Sequence, residues 1–133
     1  MNRIFIAVLT ACTLVLLVAC KPELVSTLKD GESITVYLYK TDKAVDRVVD
    51  KKIVKREAAG YKALIDWGKK NKADWEPTTK VYPPVLLIEA KGFSVNVRKD
   101  VTVFTYKDGS YVRKTDINDL AWFKKQLGIV DPP

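Results

Sequence analysis

Histidine is absent from this 133-residue sequence, and its two cysteines, Cys12 and Cys20, both fall within the first twenty residues. Everything after Cys20 therefore lacks both a thiol and an imidazole. Such a stretch cannot build the usual zinc sites, the Ser-His or Cys-His nucleophile pairs, or a disulfide framework. Oxygen ligands remain, but no Asp/Asn/Gly loop has the spacing of a calcium site. Phosphate loops, dinucleotide-binding glycine fingerprints, nucleophile elbows and internal repeats are missing too. Lys91-Gly92 and Asp108-Gly109 read as turns. Acidic residues stand singly, except Asp74 and Glu76 on either side of Trp75. No cofactor, metal ligand or catalytic residue is expected, and most enzyme classes are disfavoured.

One long apolar run exists. Residues 4–18 are almost wholly apolar, Arg3 precedes them and small Ala19 follows, which is the layout of a signal peptide. The run is shorter than the ~20 apolar residues needed to cross a bilayer, and Thr10, Cys12 and Thr13 interrupt it. Its last four residues, Leu17-Val18-Ala19-Cys20, resemble the lipobox of bacterial lipoproteins. The resemblance covers residues 1–20 only, and the rest of the chain shows no named family. It implies transfer of a diacylglyceryl group to the Cys20 sulfur, cleavage before Cys20 and acylation of the new amino terminus. The membrane is then a partner through lipid. A second tetrapeptide of this kind, Leu9-Thr10-Ala11-Cys12, has too short an apolar run before it. In enterobacterial lipoproteins an Asp after the lipidated cysteine tends to retain the protein in the inner membrane. Lys21 stands there instead, which implies an outer-membrane protein facing the periplasm.

Of 23 basic residues only Arg3 is lost with a leader of residues 1–19, and none of the 16 acidic ones is, leaving a net charge of +6. Beyond a cell membrane such a surplus meets lipid headgroups, polymer phosphates and acidic proteins, and not nucleic acid. The remaining 114 residues suffice for one domain with a core, expected to be monomeric. Residues 20–32, charged and polar with Pro22 and Gly31, read as a lipidated tether reaching up to ~40 Å. The domain is expected over 33–128, with a frayed tail at 129–133.

Within it, residues 33–39 alternate Ile34, Val36 and Leu38 against Thr35, Tyr37 and Tyr39, which predicts a strand. A charged connection is expected over 41–50, in which Arg47-Val48-Val49 can add a short extended piece. Val54, Ala58, Tyr61, Ile65 and Gly68 then recur at helical spacing, widened by Leu64 and Trp67, so an amphipathic helix is expected over about 55–71, with residues 51–54 equally able to close a strand. Gly60 inside it suggests close packing on a sheet. Strands follow at 85–90, 93–97, 101–106 and 111–114, joined by tight turns that make neighbours antiparallel. Asp116 is an N-cap candidate for a last helix whose stripe is Ile117, Leu120, Ala121, Phe123 and Leu127, ended by Gly128. The order β-α-β-β-β-β-α predicts an α+β fold: an antiparallel sheet of about five strands with two helices packed on one face.

Two function classes remain. The first is a non-catalytic envelope protein that binds another protein, in an inhibitor, immunity, exclusion or accessory role. Its candidate binding residues are Trp75 and Tyr82 in the irregular stretch 72–84, and the basic residues Lys69, Lys70 and Lys72 at the end of the first helix. The second is a small carbohydrate-binding or glycan-hydrolysing protein centred on Trp75 with Asp74 and Glu76. A loop tryptophan can equally be a lid on the core, and charge runs are usually solvated faces.

Overall fold

The computed structural model describes Leu28, Lys29 and residues 31–133. The expected signal peptide, Cys20 and most of the expected tether lie outside the described residues. Strands β1 (Ser33–Asp42) and β2 (Val45–Lys55) form a long hairpin, followed by α1 (Ala59–Lys70) and the short β3 (Glu76–Thr78). Then come β4 (Leu86–Ala90), β5 (Phe93–Val97), β6 (Val101–Tyr106), β7 (Gly109–Lys114) and α2 (Asp119–Leu127). All seven strands belong to one sheet in the order β2-β1-β4-β5-β6-β7-β3, and each adjacent pair is antiparallel.

The architecture is thus α+β with an antiparallel sheet and two helices, but two strands exceed the number expected from sequence. The connection expected at 41–50 is largely β2. Its turn carries Lys43 and Ala44 at φ 50° and 63°, a backbone that favours Asn or Gly, so the hairpin lacks its usual turn residues. The second addition is β3, inside the stretch read as irregular. It pairs with β7 through Glu76, Pro77 and Thr78, and proline is tolerated there because β3 is an edge strand.

Alternation sorts the sheet into two faces. Ile34 sits opposite Val54, and Val36 and Leu38 sit beside Ile88 and Leu86, which continue through Val95 and Val97. Phe93 and Phe104 complete this apolar face, and Tyr61, Leu64, Trp67, Leu120, Phe123 and Leu127 of the helices join the same core cluster. The helix α1 starts four residues later than expected because Val54 is a core residue of β2 and not the first of the helical stripe. The N-cap of α2 is Asn118 and not Asp116, and Ile117 is 95% exposed, outside the stripe. Gly128 does end α2, with φ 67°, and the Ile129 amide returns to the Lys124 carbonyl, a left-handed helix stop.

Both domain limits also move. Leu28 is fully buried, and its carbonyl accepts the Tyr61 hydroxyl at 2.6 Å. Ile129 is buried in the same core, so the fold reaches beyond residues 33–128 at both ends. Gly60 packs closely, but on the other helix: a Cβ there would lie 2.5 Å from the Gln126 carbonyl oxygen.

The chain must return from β3, at one edge, to β4 near the middle, four strand spacings or about 19 Å away. Residues 79–85 make that crossing. Asn96, on the face away from the helices, holds them: its Oδ1 accepts the Val85 amide at 3.0 Å, and its Nδ2 donates to the carbonyls of Pro83 at 3.1 Å and Tyr82 at 3.4 Å. The crossing is therefore a strap over the helix-free face.

Candidate functional site

Trp75 sits at the rim of the core, half-buried. Its indole donates to the Asn71 carbonyl at 2.8 Å, and its ring meets Trp67 and Phe104 edge-on at 6.3 and 6.2 Å. The Arg113 guanidinium lies 5.8 Å from the ring centre and donates to Asn71 Oδ1 at 2.7 Å. Asn71, the C-cap of α1, is the hub of this arrangement, since its own amide nitrogen donates back to the Trp67 carbonyl. These contacts fix the indole as a lid with a cation on its outer side. Asp74 (φ 68°) and Glu76 flank it, both exposed.

The exposed Lys69, Lys70 and Lys72 surround Asn71 in sequence, so they share one end of α1 with Trp75. Tyr82 does not join them. It belongs to the strap on the opposite face, where the cations of Lys80 and Arg98 lie 5.2 and 5.9 Å from its ring centre. Arg98 also donates to the Pro83 carbonyl at 2.6 Å and pairs with Asp100 at 3.0 Å. The sequence candidates thus divide into two surfaces.

Two features escaped the sequence reading. One is an open groove of about 400 Å³ between α1 and the start of α2, lined by Asp66, Trp67, Lys70, Asn71, Asp116, Asn118, Asp119 and Trp122. Trp67 and Trp122 flank Phe123, each edge-on at 5.0 Å. Asp66 and Asp116 are 50 residues apart, so no local motif announces the groove. The second is the outer edge of β2, hidden because extended pieces were expected only at residues 47–49 and 51–54 and not as one continuous strand.

Two carboxylates, Asp66 and Asp100, are shifted toward their charged form. The hydrogen bond from Lys62 (2.7 Å) lowers the Asp66 pKa, desolvation opposes it, and the charges of Lys62 and Lys69 add to the lowering. Desolvation acts to raise Asp100, but bonds from Arg98 and backbone amides outweigh it, and its pKa is lowered. Burial pushes the Tyr61 hydroxyl up, partly offset by Arg56. The Trp67 indole N–H is buried without a partner.

No protein-family model, curated protein or solved structure matches this chain. Among the described residues no helix is long and apolar enough to cross a membrane.

Proposed function

We propose that the chain is a lipid-anchored protein of the bacterial envelope, acylated at Cys20, which binds another protein and does not catalyse a reaction. The observation that carries this reading is Leu17-Val18-Ala19-Cys20 closing a short apolar run behind Arg3. Lys21 favours the outer membrane, with the domain facing the periplasm. The partner is engaged in an inhibitor, immunity, exclusion or accessory role.

The position of the first core residue supports the tethered arrangement. Only seven residues separate Cys20 from buried Leu28, a span of at most about 26 Å when extended. The domain is therefore held nearer the headgroups than a tether ending at residue 32 would allow. Strand directions put the start of β1 at the same end of the sheet as the β4–β5 and β6–β7 turns. That end carries Lys29, Lys55, Arg56, Lys91 and Lys107 against Glu32, Glu57 and Asp108, a surplus suited to anionic headgroups.

The lack of histidine, and of cysteine after Cys20, supports binding over catalysis. A glycan-binding reading has one observation in its favour, the groove in which Trp67 and Trp122 stand beside Asp66, Asp116 and Asp119. Quenching of tryptophan fluorescence by soluble cell-wall oligosaccharides tests it.

Labelling cells with a fatty acid tests the anchor. Cys20→Ser is expected to abolish labelling and leave the precursor uncleaved, while Cys12→Ser changes neither. Labelling that survives Cys20→Ser removes the basis of the reading.

A further inference from the structure

Strand β2 ends the sheet, so its outward-pointing N–H and C=O groups have no partner strand. At 11 residues it is the longest strand, and such an edge is a template for another strand. Three of the six large hydrophobic side chains exposed among the described residues are on it: Val45, Val48 and Ile53, at 56%, 47% and 61%. At the other edge β3 has three residues and contains Pro77. The two edges are not equivalent.

The polar pattern of β2 determines what can pair with it. Arg47, Lys51, Lys52 and Lys55 discourage an arbitrary strand. A bulge changes this for one partner. Leu38 pairs with Asp50 and Tyr39 with Val48, leaving Val49 as an extra residue. Side chains of Asp50, Lys52 and Val54 face the helices, and so do those of Val45 and Arg47 on the far side of the bulge. Asp46 and Val48 face the other way, with Lys51, Ile53 and Lys55.

We infer that β2 pairs antiparallel with β2 of a second copy of this chain, about a two-fold axis at the bulge. In that register Val48 lies opposite Val49 of the second copy, Arg47 opposite its Asp50 and Asp46 opposite its Lys51. The charged partners share a face, and each pairing occurs twice. Opposite charges across strands are favourable and like charges are not; between Val45 and Lys52 no like charges meet. Sliding by one residue would put opposed residues on opposite faces, because the parity changes at Val49. Sliding by two toward the C-terminus would set Arg47 against Lys52. The edge is thus closed to a generic strand and open to itself.

Hydrogen-bond directions agree. The Tyr39 amide on the helix-free face donates toward β4, to the Val85 carbonyl at 2.8 Å, and the Arg56 amide on the helix face bonds back to Glu32. Groups of β2 on the helix-free face, Asp46, Lys51 and Ile53, therefore point outward, so Asp46 and Lys51 form the hydrogen-bonded pairs across the axis once the Lys51 amide leaves the Asp50 carboxylate that accepts it at 2.8 Å. Neither charge is in an ion pair among the described residues, and the Lys51 ammonium lies 5.5 Å from the Tyr37 ring centre. The ion pairs among the described residues are Lys62–Asp66, Arg98–Asp100 and Lys124–Asp131. Asp46 accepts one bond, from the Thr41 hydroxyl, and Asp50 accepts the amides of Lys51 and Val130. This pairing replaces the monomer expected from sequence and does not require acylation of Cys20.

Light scattering on the full chain in detergent tests it. The unaltered chain is expected to be a dimer at tens of micromolar. Asp46→Lys and Lys51→Asp, each with an unchanged circular dichroism spectrum, should each raise the dissociation constant by about tenfold or more. Mixing the two variants should restore dimers containing one of each, since every reversed pair then becomes attractive again. An unaltered chain that is monomeric overturns the proposal. So do single variants that dimerise as well as the original, or a mixture that stays monomeric.

Discussion

Gly60 and the Gln126 carbonyl lie so close that a Cβ on the glycine would stand 2.5 Å from the oxygen. The two helices touch backbone to backbone at this point, where α1 begins and α2 ends. In a solvent-exposed helix Gly→Ala would be worth about 1 kcal/mol of stability. Here the obstacle is main chain and cannot rotate away. Gly60→Ala is expected to destabilise the domain by about 1–3 kcal/mol, read as a lower denaturation midpoint. A gain in stability would show that the helices separate freely.

Trp75→Ala removes a half-buried indole together with its bond to Asn71 and its packing on Trp67 and Phe104. A loss of about 2–4 kcal/mol is expected, toward the lower part of the range for buried aromatics because one edge is wet. Thermal unfolding measures it. An unchanged midpoint would return Trp75 to the list of residues available to a partner.

Asn96→Ala should free the strap at residues 82–85 without exposing the core, since Asn96 points away from the helices. Losing three side-chain bonds on a buried group is worth about 2–3 kcal/mol. Hydrogen exchange at the Val85 amide is expected to rise more than exchange in β5. Equal protection in both variants would mean that the strap is held by other contacts.

Asp100 has a folded-state pKa below its ordinary value of 3.8. A depressed carboxylate contributes stability that is complete above the unfolded pKa and is lost as pH falls through the folded one. Its contribution is therefore expected to be present at neutral pH and to fade below about 3.8. The Asp100 side chain is largely exposed, so the effect is small. Denaturation of Asp100→Asn and of the unaltered chain should differ at pH 7 and converge as the pH falls through the folded pKa. A constant difference across that range would assign the effect to packing instead.

Ala44 occupies a left-handed backbone at φ 63°, which costs an ordinary residue about 1–2 kcal/mol. Ala44→Gly removes that cost and adds chain entropy to the unfolded state. A net gain of about 0.5–1 kcal/mol is expected in chemical denaturation. A loss would mean that the alanine methyl makes a contact worth more than the strain.

Much of the sheet was legible because its signals were local. The meander from Leu86 to Lys114 has period-two alternation and glycine-bearing turns at Gly92 and Gly109, and its boundaries matched within a residue or two. Strand β2 was hidden for a physical reason. As an edge it buries only Val54, so it needs little hydrophobic alternation, and its turn has neither Gly nor Asn. The distribution of site residues was less legible still. Trp75 and Tyr82 are seven residues apart in one irregular stretch, yet β3 intervenes and sends the chain across to the other face. The groove at Asp66 and Asp116 depends on how α1 lies against α2, which a contact at Gly60 determines and no periodicity reveals.

The hairpin β1–β2 and the meander β4–β7 are each joined by neighbouring residues, but the seam between them is not. It consists of four residue pairs, from Thr35 with Glu89 to Leu38 with Leu86, separated along the chain by about fifty residues. Closing such a loop costs entropy before any contact repays it, so non-local pairing slows folding. The meander and the hairpin should form early, and the seam should be the last part of the sheet to close. Substitutions such as Val36→Ala are then expected to accelerate unfolding more than they slow folding, giving low φ-values in a chevron analysis, with higher values at Val95 and Phe104.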